Sequence, residues 1–189
     1  MYYMRAMQYF DLMRVYGGVP IVTSVQDASA TDPSIQLPRA KVSEVVDQIV
    51  KDLDMAASLL PGTWGAAAYG RFTRGAALAQ KSRVLLTFAS PLFNKNWDGS
   101  NERWDAALKA GLEAEAQLTA DGYGLYGSTA KQWEQMFLID NAFCSEAITV
   151  QLCGFGVGSQ AINNSWEKGI ALLSLGGTGG AVAAPKEMI

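Results

Sequence analysis

Three of the five tryptophans, Trp64, Trp97 and Trp166, fall in stretches without helical period and read as loop residues. A loop indole facing water is a platform for flat apolar surfaces. Sugar rings stack on such rings through their C–H faces, while Asn, Asp and Arg side chains take the hydroxyls. Asn163 and Asn164 stand just before Trp166, and each amide both donates and accepts. The competing reading of any loop tryptophan is packing, with the ring plugging its loop onto the core and touching no ligand. Trp104 and Trp133 lie on helical faces and read as core.

Other chemistries are thin. The 189 residues contain no histidine, which removes imidazole bases, histidine triads and histidine-ligated metal sites. Cys144 and Cys153 have neither metal-site nor CxxC spacing and read as free thiols, buried or half-buried. Asp52 with Asp54, and Glu113 with Glu115, read as solvated helix faces. A glycosidase needs two carboxylates converging in a cleft. Ser90 precedes a proline and reads as a helix terminus rather than a nucleophile. The glycine-rich run at 156–161, GVGSQA, lacks the strand-to-helix context of a phosphate loop. With a net charge of −3, a pI near 5.0 and no basic run, the chain is not built for nucleic acid. No cofactor is expected.

The elements that position these residues are helical. A hydrophobic content of 49 % suffices for a core of one domain. A first helix is expected over about Tyr2 to Val15, with Tyr3, Met7, Phe10 and Met13 at helical spacing and Gly17-Gly18 as its terminator. Val19 to Val22 is extended, and a polar loop with Pro33 and Pro38 follows. The second helix, about Val42 to Leu60, carries an apolar stripe from Val42 through Val45, Val46, Ile49, Val50, Leu53, Ala56 and Ala57 to Leu60. Asp47–Lys51 reads as an i,i+4 pair on its wet side. Lys41 stands where a Ser or Thr cap would serve, so Glu44 keeps half of a capping box.

The central stretch, Gly70 to Asn94, has a marked start and stop. Thr73 is the expected N-cap, and Pro91 ends the helix by disfavouring the α region at Ser90. Gly75, Ala76, Ala77 and Ala79 allow another helix to approach closely. The fourth helix, about Arg103 to Ala120, is expected to bury Trp104, Ala107, Leu108, Gly111, Leu112, Glu115 and Leu118, with Asp105 and Lys109 outside. A short helix at about Ala130 to Phe137 and a strand at Glu146 to Leu152 complete the reading. From residue 154 onward the sequence is glycine-rich, charge-poor and aperiodic. The expected division is therefore 1–153 and 154–189. No run of 18 apolar residues spans a membrane. The uncapped first helix and the closing APKEMI suggest a piece of a longer protein.

The wording of several stretches is distinctive. GRFTRGAALAQKSRVLLTFASPLFN (70–94), RAMQYFDLMRVYGGVPIV (5–22), PRAKVSEVVDQIVKDLDMAASLLP (38–61) and NERWDAALKAGLEAEAQLTADGYGLYG (101–127) occur in this order. Together they resemble the SusD/RagB family of glycan-binding outer-membrane lipoproteins. Asn141 with Glu146-Ala147-Ile148 resembles a further family segment, and Pro185 to Ile189 an imperfect last one. The resemblance implies an all-α fold of tetratricopeptide-like helical hairpins with irregular loops and short strand segments, without catalysis. It implies a glycan ligand and a SusC-like TonB-dependent transporter as partner. It also implies surface exposure at the outer membrane through a lipid anchor absent from this chain. Family ligand loops include the stretch holding Trp166, Asn163 and Asn164, which are the expected glycan-binding residues, with Trp97 and Trp64 beside them. The alternative is a helical-repeat scaffold for protein partners without glycan contact.

Overall fold

Helix α1 (Tyr2–Tyr16) turns back at Gly17, whose φ of 73° is the left-handed value a glycine adopts without strain. Helices α2 (Val42–Leu59), α3 (Arg74–Ala89), α4 (Glu102–Ala120) and α5 (Ala130–Met136) follow, with a 3-10 turn at Ala66–Ala68. The computed structural model describes residues 1–26, 35–99, 101–136 and 144–150. Residues Met1–Val150 form one unit. Among the described residues the fold is all-α, as the periodicity requires.

Two hairpins stack through α2 and α3. In the first, Tyr3, Phe10 and Met13 of α1 meet Val45, Val46, Ile49 and Leu53 of α2 in the core. Each such side chain, taken fully out of water, contributes about 1.5–3 kcal/mol. One polar group joins them. Asp52 is 2 % exposed, although the sequence reading places it on a wet face with Asp54. Burial is tolerable because Arg5 grips both its oxygens, Nε to Oδ2 at 2.7 Å and Nη2 to Oδ1 at 2.5 Å. Gln48, one turn earlier, donates to Oδ1 at 3.1 Å.

The second hairpin is made of small residues. Gly75 lies so close to α4 that an added Cβ would overlap Leu118 Cδ2. Ala107, Ala110 and Ala114 form the buried row of α4. The expected face is therefore corrected: Leu108 and Leu112 are 63 % and 56 % exposed. Small residues on α3 draw α4 in until alanine and glycine fill most of the seam, with Leu118 over Gly75, which turns Leu108 and Leu112 outward. The hairpin repeats the polar device of the first. Arg74 donates to Asp121 at 2.7 Å, and Gln117, again one turn earlier, donates to Asp121 at 3.1 Å.

The helix ends follow local chemistry. Thr73 Oγ1 accepts from the Ala76 amide, as expected. Lys41 has no acceptor to offer, and its own amide donates to Glu44 at 2.7 Å. Asn101 caps α4 by accepting from the Arg103 amide, one residue earlier than the sequence reading starts that helix. Asp47–Lys51 is not among the ion pairs of the described residues; Lys81 of α3 reaches Asp54 instead, at 2.6 Å. The strand expected at Glu146 to Leu152 does not form over 146–150. The Ala147 amide turns back to Cys144 O, and no neighbouring strand offers a ladder there among the described residues. Gln151 and Leu152 lie outside the described residues.

Candidate functional site

The loop between α3 and α4 shows how a tryptophan is held out to solvent. Asn94, 8 % exposed, donates to Ala89 O and to Asn101 Oδ1, and its own oxygen receives the Asn96 amide. Asn101 donates in turn to Asn96 O and Gly99 O. Trp104 Nε1 donates to Trp97 O at 2.8 Å. These bonds fix the backbone of Trp97 while its side chain stays 49 % exposed. Trp104 is half-buried and ties down this loop, where the sequence reading placed it in the core. Trp133, expected in the core, is 57 % exposed.

Trp64 is placed differently. Its Nε1 donates to Phe72 O at 2.8 Å, and Arg71 stands over its ring at 5.6 Å. The adjoining void is about 20 Å³, too small for a sugar ring. Trp64 packs its loop against the start of α3. Trp97 follows the other end of that helix, so the two loops leave opposite ends of a sixteen-residue helix about 24 Å long. Trp166, Asn163 and Asn164 lie outside the described residues, as do Cys153, Asn141 and the glycine-rich run at 156–161.

Phe88, Glu102 and Arg103, which flank the Trp97 loop in sequence, form one end of a groove of about 1,000 Å³ across α2, α3 and α4. Val46, Val50 and Leu85 give it an apolar floor. Sequence reasoning missed Arg103, whose guanidinium lies 3.9 Å from the Phe88 ring centre and donates to Phe93 O at 2.6 Å. This contact caps the end of α3 and stiffens the loop again. The signal was available: an arginine two residues past an asparagine N-cap reaches the preceding helix terminus. Cys144 is a free, buried thiol. Among the described residues no three His, Cys, Asp or Glu side chains gather as a metal site, and no helix is long and apolar enough to cross a membrane. The arrangement supplies surfaces and hydrogen-bonding groups for binding.

Comparisons agree with this outline. The profile of the SusD-like_3 family, described as starch-binding associating with outer membrane, matches residues 1–86. A SusD-like protein, P38, of Formosa agariphila is 29 % identical over 139 residues, 74 % of this chain and 23 % of that protein. A SusD-like protein from Bacteroides fragilis NCTC 9343 is similar in structure, with a TM-score of 0.56 and 30 % identity over 71 % of this chain and 23 % of that one. A SusD homologue from Bacteroides thetaiotaomicron VPI-5482 gives a TM-score of 0.53 and 26 % identity over 72 % of this chain and 24 % of that one. The chain thus spans about a quarter of the length of these relatives.

Proposed function

Because the chain belongs to the SusD/RagB family, we propose that it serves a protein that captures glycan at the cell surface. That protein delivers it to a SusC-like TonB-dependent transporter and is held at the outer membrane by a lipid anchor. It binds without turning the glycan over. The family match carries the reading, since its description couples starch binding to the outer membrane. Trp97 adds local support, as an exposed indole on a loop that hydrogen bonds hold in place. Trp166, with Asn163 and Asn164, is proposed as a second contact on sequence grounds. Trp64 is proposed as the lesser contact, because its indole N–H and one ring face are already engaged.

The test is a panel of polysaccharides scored for both retention and new reducing ends. Retention without new reducing ends supports the binder. New reducing ends would make it an enzyme, and no retention at all would favour the protein-scaffold alternative. Trp97→Ala is expected to weaken retention about fivefold, the loss of roughly 1 kcal/mol of stacking, at unchanged melting temperature. Trp166→Ala is expected to do the same. A Trp166 variant that melts several degrees early with retention intact would place that ring in packing.

A further inference from the structure

A second cleft lies on the other flank of the small-residue hairpin. Ala79 and Ser82 of α3, the Gly111–Thr119 side of α4, and segments 123–125 and 145–148 enclose about 520 Å³. That volume falls within the roughly 300–1,000 Å³ of small-molecule sites. Its base is shallow because the α3–α4 contact is built from alanine and glycine. Its walls are mainly apolar, with Leu118, Leu125 and Ile148, and carry a few acceptors, Glu115 on α4, Glu146 on segment 145–148 and the hydroxyls of Ser82, Thr119 and Ser145. Glu146 is oriented: its Oε2 accepts the Tyr126 amide at 3.0 Å. Among the described residues no lysine or arginine lines the cleft.

We propose that this cleft is a subsite for a neutral oligosaccharide of two or three residues, and that it turns away uronate-containing and sulfated chains. The inference rests on the glycan-binding reading and names its ligand class. A pyranose has one C–H face and an equatorial belt of hydroxyls. The alanine-lined base suits the face, and the carboxylates suit the belt, since a hydroxyl donating to an ionised acceptor makes a strong hydrogen bond. A packed helix suits the cleft poorly, because it would bury two carboxylates without cationic partners. An anionic sugar meets the same two charges with no counter-charge in the wall.

The experiment measures binding of maltotriose, xylotriose, cellotriose, mannotriose and trigalacturonic acid to the 189-residue chain by calorimetry, alongside retention on the polysaccharide panel. Two rim variants, Glu115→Gln and Thr119→Trp, are compared with the parent, and thermal unfolding confirms that each folds. Both sites are exposed, and Glu115→Gln alone keeps the test decisive if the larger change disturbs the helix. The proposal expects at least one neutral trisaccharide to bind. Glu115→Gln should weaken it about fivefold and Thr119→Trp tenfold or more, while trigalacturonic acid binds at least tenfold more weakly than the best neutral ligand. Glycan retention that neither variant changes overturns the cleft and leaves the glycan-binding reading intact. Equal or tighter binding of trigalacturonic acid overturns the charge selection. No binding to any glycan in either assay ends both the cleft and that reading.

Discussion

The two hairpins carry the same polar device in different settings. In each, an arginine on the first helix meets an aspartate 47 residues later, and a glutamine four residues before that aspartate donates to it. Arg5 and Asp52 meet through two bonds inside a core of valine, isoleucine, leucine and methionine. The hydrogen bond to Asp52 holds the Arg5 guanidinium above its ordinary pKa. Arg74 and Asp121 meet through one bond at a helix end, and Arg74 Nε and Asp121 Oδ2 are buried without a partner. One motif thus has different weight in different surroundings. Around Asp52 the packing leaves water no place, so the bonds must be complete. Around Asp121, Arg74 keeps 38 % of its side chain in solvent and Asp121 9 %, and the contact is looser.

Removing each aspartate tests this contrast. Asp52→Ala is expected to cost about 3 kcal/mol in denaturant unfolding, because it leaves the part-buried Arg5 guanidinium without its carboxylate. A loss below about 1 kcal/mol would mean that Arg5 escapes to water and that the first clamp is no stronger than the second. Next comes the small-residue seam. Gly75→Val is expected to cost about 2 kcal/mol by overpacking against Leu118. Adding Leu118→Ala should restore part of that loss, and strict additivity would show that the two side chains do not meet. Asp121→Ala is expected to cost about 1 kcal/mol, the range of partly exposed pairs.

The smallest effect is the response to alkaline pH. Burial raises the Tyr3 phenol above 10, against a hydrogen bond with Thr149 that pulls it down. The folded chain keeps this proton longer than the unfolded chain. Its contribution is therefore complete below pH 10 and is lost as the pH climbs through the raised value. Melting temperature should fall faster above about pH 10 in the parent than in Tyr3→Phe, which keeps the stack on Phe72 at 4.0 Å. Parallel curves would remove Tyr3 as the cause.

How much of this was legible in the sequence depended on side-chain size. Helix positions followed from period and punctuation: Thr73, Pro91 and Gly17 mark ends that the backbone respects. The buried face of α2 followed from its valines, isoleucine and leucine. Asp52 was misplaced because a carboxylate reads as wet, yet it stands one turn from both Ile49 and Ala56 on the buried row. Only the position of Arg5 on another helix explains it. On α4 the usual guide failed, since size argued for Leu108 and Leu112 inside while the close approach of α3 admitted mainly alanines. Trp64 and Trp97 looked alike as loop residues. Which one keeps a free face was decided by partners the period does not reveal, Arg71 and Phe72 for one, Asn101 and Trp104 for the other.

The asparagine lattice under Trp97 bears on the speed of encounter. A loop that must search for its binding shape slows association and divides it into phases. Here Asn94, Asn96, Asn101 and the Trp104 indole have already settled the backbone, so its ordering entropy was lost when the chain folded. Whatever lands on that indole meets a finished surface. For the glycan contact proposed at Trp97, association is expected to follow a single phase set by diffusion and orientation, with differences between ligands expressed in how long each one stays.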